Sequence, residues 1–111
     1  MELQSVTSPE IVTEWRKTMI SVSVLEYFGR RDVPSIRLNR LIEDMIAACE
    51  ITHPEGDPPP CRDEQDRKYL HCAVSGNVDF LVTTDLDLLV QERIASTEIV
   101  RPGALWRLLF E

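Results

Sequence analysis

Four aspartates in the second half of the chain have the types and spacing that chemistry needs. Asp63 and Asp66 stand three apart ahead of an apolar helical run, and Asp85 and Asp87 follow the β-prone stretch Phe80-Leu81-Val82-Thr83-Thr84. Crowded carboxylates do not all ionise cheaply unless a cation accompanies them. Oxygen-only ligands that leave room for water suit Mg²⁺ or Mn²⁺. Such an ion can hold a phosphodiester, polarise it and lower the pKa of an attacking water. Glu14, Asp66 and Asp85 each follow a predicted strand, so all three are expected on one rim of an α/β sheet, beyond the carboxyl ends of its strands. Thr83 and Thr84 precede Asp85, and their hydroxyls could orient its carboxylate or a bound water.

Each acid also has a plainer reading. Asp85 is a good cap for a helix beginning at Leu86. Asp63 and Asp66 form a capping arrangement at a helix start, where acids complement the helix dipole. Glu14 reads equally as an exposed acid beside Lys17 and Thr18, and Asp87 as a solvent-facing residue. Arg62 adjoins the first pair, where it could meet either acid or a phosphate. Position along the chain makes the set stronger than its members.

The elements expected to place these residues alternate. Leu3–Val6 reads as a short strand. Ser8-Pro9-Glu10 then opens a helix with Ser8 as its cap and Pro9 in the first turn. Ile11, Val12, Trp15 and Met19 give that helix its apolar stripe, which continues through Val22 and Leu25 to Gly29. Ser35 opens a further helix with Leu38, Leu41, Ile42, Met45 and Cys49 on one face. Glu50–His53 is a strand candidate, and the prolines at 58 to 60 exclude helix in the linker after it. Asp63 caps the next helix, whose apolar stripe is Tyr69, Leu70, Ala73 and Val74 and which Gly76 ends. Phe80–Thr84 fits a strand buried on both faces. Leu86–Gln91 is a short helix, Glu98–Arg101 a strand, and Pro102 opens a last helix carrying Leu105, Leu108 and Leu109. This order implies one α/β domain over residues 1–111 with a mostly parallel sheet flanked by helices.

Composition narrows the partners. The chain has 111 residues, a 43% hydrophobic share and a net charge of −7. That charge argues against a broad nucleic-acid-binding surface, although a bound metal reverses the local sign at an acidic site. No apolar run is long enough for a membrane span, and Met1-Glu2 does not start a signal peptide. A cytoplasmic protein with no membrane association is expected. Cys49, Cys61 and Cys72 lack CxxC spacing and read as free thiols in a reducing compartment. His53 and His71 lie near them in sequence, but the pattern is not that of a zinc site.

Arg62-Asp63-x-x-Asp66-x-x-Tyr69-Leu70, followed by Asp79-Phe80-Leu81-Val82-Thr83-x-Asp85-x-Asp87-Leu88-Leu89, resembles the PIN domains of the toxin-like branch. Ile99-Val100-x-Pro102 and the final helix resemble that branch too, and Ser8-Pro9-Glu10 leading to Glu14 is similar to its first acidic helix. The resemblance implies a three-layer α/β sandwich and a Mg²⁺- or Mn²⁺-dependent ribonuclease acting on single-stranded RNA, with an antitoxin protein as partner. It implies Glu14, Asp66 and Asp85 as catalytic metal ligands, with Asp63, Thr83 and Asp87 auxiliary.

The chain departs from the family pattern at its start. Met1 stands where the family's second strand begins, so the first strand and its Asp are expected to be missing, mid-sheet between Leu3–Val6 and Phe80–Thr84. Two expectations follow: weakened activity, and a homo-oligomer formed by exchange of an element between protomers. A catalytically inactive interaction module is the alternative. A response-regulator-like receiver also places acids at strand ends, but it needs a late Lys near them, and none follows Lys68.

Overall fold

A computed structural model describes residues 3–19 and 21–110; the side chains of Met19, Val22, Ser23, Val24 and Phe28 lie outside the description. Its described residues form six α-helices and two small sheets. The chain divides into two compact units, one up to Ile51 and one from Thr52 on. The fold is mixed α/β, and two of the three strand pairings among the described residues are parallel.

In the first unit, β1 (Val6–Thr7) pairs in parallel with β2 (Glu50–Ile51). Both strands are shorter than the sequence predicts. Helix α1 (Pro9–Met19) starts as predicted: Ser8 Oγ accepts the Ile11 N–H at 3.4 Å, and the Ser8 carbonyl accepts from Val12. The single helix expected to run to Gly29 is instead two, and the break has a local cause. Ser21 turns back on Thr18, donating both its N–H and its Oγ to that carbonyl. The Ser21 carbonyl then accepts from Leu25 and starts α2 (Val22–Gly29). Helix α3 (Ser35–Ala47) packs against α1. Ile11 and Val12 of α1 and Leu38 and Ile42 of α3 are buried, whereas Leu41 and Met45 are exposed, so the stripe that faces inward is narrower than predicted. Arg16 donates from Nε and Nη2 to the two Glu43 carboxylate oxygens at 2.9 and 3.0 Å. This two-pronged bond holds the Glu43 carboxyl below its ordinary pKa range.

The second unit carries the candidate site. After the proline segment come a 3₁₀ turn (Glu64–Asp66), α4 (Arg67–Ser75), β3 (Phe80–Val82), α5 (Leu86–Leu89), β4 (Arg93–Ile94), β5 (Thr97–Val100) and α6 (Pro102–Phe110). The strand order is β3-β5-β4, with β3 parallel and β4 antiparallel to β5. Strand β3 is not buried on both faces as expected: it stands at an edge of this sheet, and Val82 is exposed. The buried strand is the central one, β5, through Thr97, Ile99 and Val100. Strand β4 escapes prediction because it is two residues long and has no apolar alternation.

Leu70, Leu88 and Ile99 form the core, with Cys61, Leu81, Leu89 and Ile94 packed on it. Leu70 is 0% exposed, a burial worth about 2–3 kcal/mol. Helix α4 caps at Gly76, but Asn77 is the residue with positive φ, +49°. Asn77 N–H reaches the Val74 carbonyl and Val78 N–H reaches that of Ala73. This paired closure satisfies the last helical carbonyls and turns the chain toward β3. Thr97 Oγ1 donates to the Val78 carbonyl at 2.6 Å, fixing the start of β5 against that turn. In the second half of α4, Ser75 Oγ accepts the Glu55 N–H and His71 Nε2 donates to the Glu55 carbonyl, which anchors the proline segment.

Candidate metal centre

The acids are placed by turns. Asp63 precedes the 3₁₀ turn, and its Oδ1 accepts the Gln65 N–H at 2.9 Å. Asp66 ends that turn and stands at the N-terminus of α4 without a capping bond from its side chain. Asp85 is the N-cap of α5: its Oδ1 accepts the Asp87 N–H at 2.9 Å, and its carbonyl accepts from Leu88 and Leu89. Its own N–H donates to Thr83 Oγ1 at 3.0 Å. Asp85 thus caps the helix expected of it, whereas Asp63 caps the 3₁₀ turn that precedes α4 and not α4 itself. A cap occupies one lone pair of a carboxylate that can accept about four bonds, so it fixes the side chain and leaves most of its ligand capacity.

The four aspartates converge. One carboxylate oxygen from each of Asp63, Asp66 and Asp87 lies within 4.8 Å of the others. Asp85 joins through Asp66, whose carboxyl it meets at hydrogen-bonding range. Asp66 is consequently harder to ionise than an ordinary aspartate. Burial is the largest cause, then the charge of Asp85 and the hydrogen bond to it, then the charges of Asp63 and Asp87. Its Oδ2 is buried with no hydrogen-bond partner. The two facts are compatible, since two ionised carboxylates cannot bond to each other. The contact between Asp66 and Asp85 is favourable only with a proton or a cation between them.

These residues fit a hard divalent cation. All donors are carboxylate oxygens, three aspartates approach one point, and the buried oxygen of Asp66 lacks a partner. Ligands of an octahedral Mg²⁺ stand about 3 Å apart when adjacent and about 4.2 Å apart when opposite, and the three acids, within 4.8 Å of one another, are spaced on that scale.

Of the residues singled out by sequence, Asp63, Asp66, Asp85 and Asp87 come together, and Thr83 supports Asp85 from two residues away. Glu14 stands on α1 in the first unit, half-buried. Asp63 and Asp87, ranked as auxiliary from sequence, are the two that share ligand spacing with Asp66. Their signal was the short spacing 63/66 and 85/87, which two tight turns convert into one cluster. Arg62 pairs with Asp87, at 3.7 Å from Nη1 to Oδ1, rather than with its sequence neighbours.

No curated protein and no solved structure matches the chain significantly. The PIN domain family does match it, over residues 1–87, a span that contains all four aspartates. The fold of that family is of the nuclease type, and its members generally depend on divalent metal, in keeping with the acid cluster. The chain belongs to the PIN domain family.

Proposed function

We propose that the chain is a divalent-metal-dependent ribonuclease that cleaves single-stranded RNA with Mg²⁺ or Mn²⁺, and that it is the toxin of a toxin–antitoxin pair. The observation that carries this reading is the buried, unpartnered oxygen of Asp66 among three further aspartates. In hydrolysis, water adds to phosphorus, one ester P–O bond breaks and the departing oxygen takes a proton. Asp63, Asp66 and Asp87 would hold the cation. When bound it supplies charge neutralisation for the phosphodiester and a more acidic water. Asp85 is held by Thr83 Oγ1 and by the Asp87 N–H, so its carboxylate is presented to Asp66 in a fixed orientation. Thr83 acts through Asp85.

The test is cleavage of a labelled single-stranded RNA by the wild type, Asp66→Asn and Asp85→Asn in Mn²⁺ and in Mg²⁺, with Glu14→Gln beside them to ask whether the first-unit acid takes part. Asparagine at 85 keeps an oxygen for the cap, so lost activity is not lost folding. We expect at least a hundredfold loss for Asp66→Asn and Asp85→Asn, in line with removing a group that stabilises developing charge. Equal cleavage by all variants, or by the wild type in EDTA, removes the reading.

A second reading, an inactive interaction module, draws on α6. Trp106, Leu108 and Phe110 are exposed there, with the Trp106 and Phe110 rings 4.3 Å apart. An antitoxin or a second copy, the latter with an exchanged element, would bury that apolar surface. Light scattering showing a monomer at micromolar concentration speaks against the oligomer. Tight Mn²⁺ binding by calorimetry favours the enzyme.

A further inference from the structure

Arg62 has no part in the mechanism above, yet it stands against the acid cluster. Its side chain is 85% exposed, and Nη1 lies 3.7 Å from Asp87 Oδ1, outside hydrogen-bonding range. A pair this loose and solvated contributes little to stability. Three other cations of the same unit stand beside groups outside the cluster: Arg67 beside Glu64 at 3.7 Å, Arg93 beside Glu98 at 3.9 Å, and Lys68 Nζ on the Gln65 carbonyl. Asp87 is also one of the three acids at ligand spacing. The same carboxylate is thus within reach of both Arg62 and a cation.

We propose that Arg62 binds a phosphate of the RNA substrate, and that cation binding at Asp87 releases it to do so. A phosphodiester approaching four carboxylates is repelled unless donors stand at the rim. A guanidinium offers five N–H groups in a fork that matches two phosphate oxygens. With no cation present, Asp87 draws the exposed guanidinium only weakly toward the acids. Once a cation draws on Asp87, that competition ends, and metal loading favours substrate capture by about a few-fold. This inference rests on the ribonuclease reading.

Two measurements on the full chain test it. Kd for a labelled single-stranded RNA is measured by anisotropy in Mn²⁺ across a salt series, in the Asp85→Asn background so that the RNA stays intact. Mn²⁺ affinity is measured by calorimetry. For Arg62→Ala we expect about tenfold weaker RNA binding, the size of one charge-assisted hydrogen bond. The slope of log affinity against log salt should flatten by about 0.7. Mn²⁺ binding should stay equal or tighten by up to about fivefold, because a competing charge is gone. Arg62→Lys should keep the salt slope and lose part of the affinity.

Opposite movement of RNA and metal affinity is not what a structural residue produces. Unchanged RNA affinity and slope would overturn the proposal, and weaker Mn²⁺ binding by Arg62→Ala would overturn the competition for Asp87. A wild type that binds Mn²⁺ and RNA without cleavage tells against the ribonuclease alone, since the binding arms still decide the role of Arg62. A wild type that binds no RNA ends both.

Discussion

At Asp66 a proton and a cation compete for the same oxygens. Its ionisation is opposed by burial and by Asp85, Asp63 and Asp87, so the folded chain holds that proton more tightly than the unfolded chain does. The sign follows by linkage. The contribution of Asp66 favours folding below the ordinary aspartate pKa of about 3.9, and it is lost as pH rises from there through the raised value. The metal-free protein should therefore lose stability over that window, and Asp66→Asn should flatten the loss. Thermal melts in EDTA against pH check this; an identical profile in the variant would place the effect elsewhere. Mn²⁺ added at pH 7 should raise the wild-type melting temperature and leave Asp66→Asn nearly unmoved. If uptake displaces one proton, apparent Mn²⁺ affinity should climb up to tenfold per pH unit below the raised pKa, which calorimetry in two buffers of different ionisation enthalpy would report.

At the scale of elements, stability should concentrate in β5 and α4. Leu70→Ala removes the one large apolar side chain among the described residues that is fully buried and should cost about 2–5 kcal/mol in urea unfolding. Thr97→Val keeps volume but leaves the Val78 carbonyl without the Thr97 hydroxyl, at a cost of about 1–2 kcal/mol. Most helices were legible because they rest on local signals. Ser8 caps α1, and the Ser35 and Pro102 starts hold. Two features were not legible for physical reasons. The break near Ser21 depends on a serine bonding back to Thr18, which competes with helix without altering apolar periodicity. Strand β4 depends on pairing with β5 and carries no pattern of its own. The site was legible as residue types but not as geometry. Asp63 and Asp85 each looked like a cap or a ligand, and the structure shows that a cap leaves ligand capacity in place.

For the whole molecule, the charge of −7 makes nucleic-acid binding conditional on local positive charge, whether from Arg62 or from a cation. RNA affinity should therefore respond to Mn²⁺ far more than to Lys17→Ala in the first unit. No helix among the described residues is long and apolar enough to cross a membrane. Metal binding to the folded chain alone should stabilise it by about 2.7 kcal/mol at a hundred times its dissociation constant, visible as a concentration-dependent melting temperature. Thr83, Asp85 and Asp87 are wired in sequence: the Asp85 and Asp87 amides each donate to a side-chain oxygen two positions back, and the Thr83 amide ties the segment to the Val100 carbonyl. The shape of this segment is consequently written in its own five residues. Amide hydrogen exchange at positions 85 and 87 should be slow even though the segment lies outside any sheet, and it should accelerate together when the Thr83 hydroxyl is deleted.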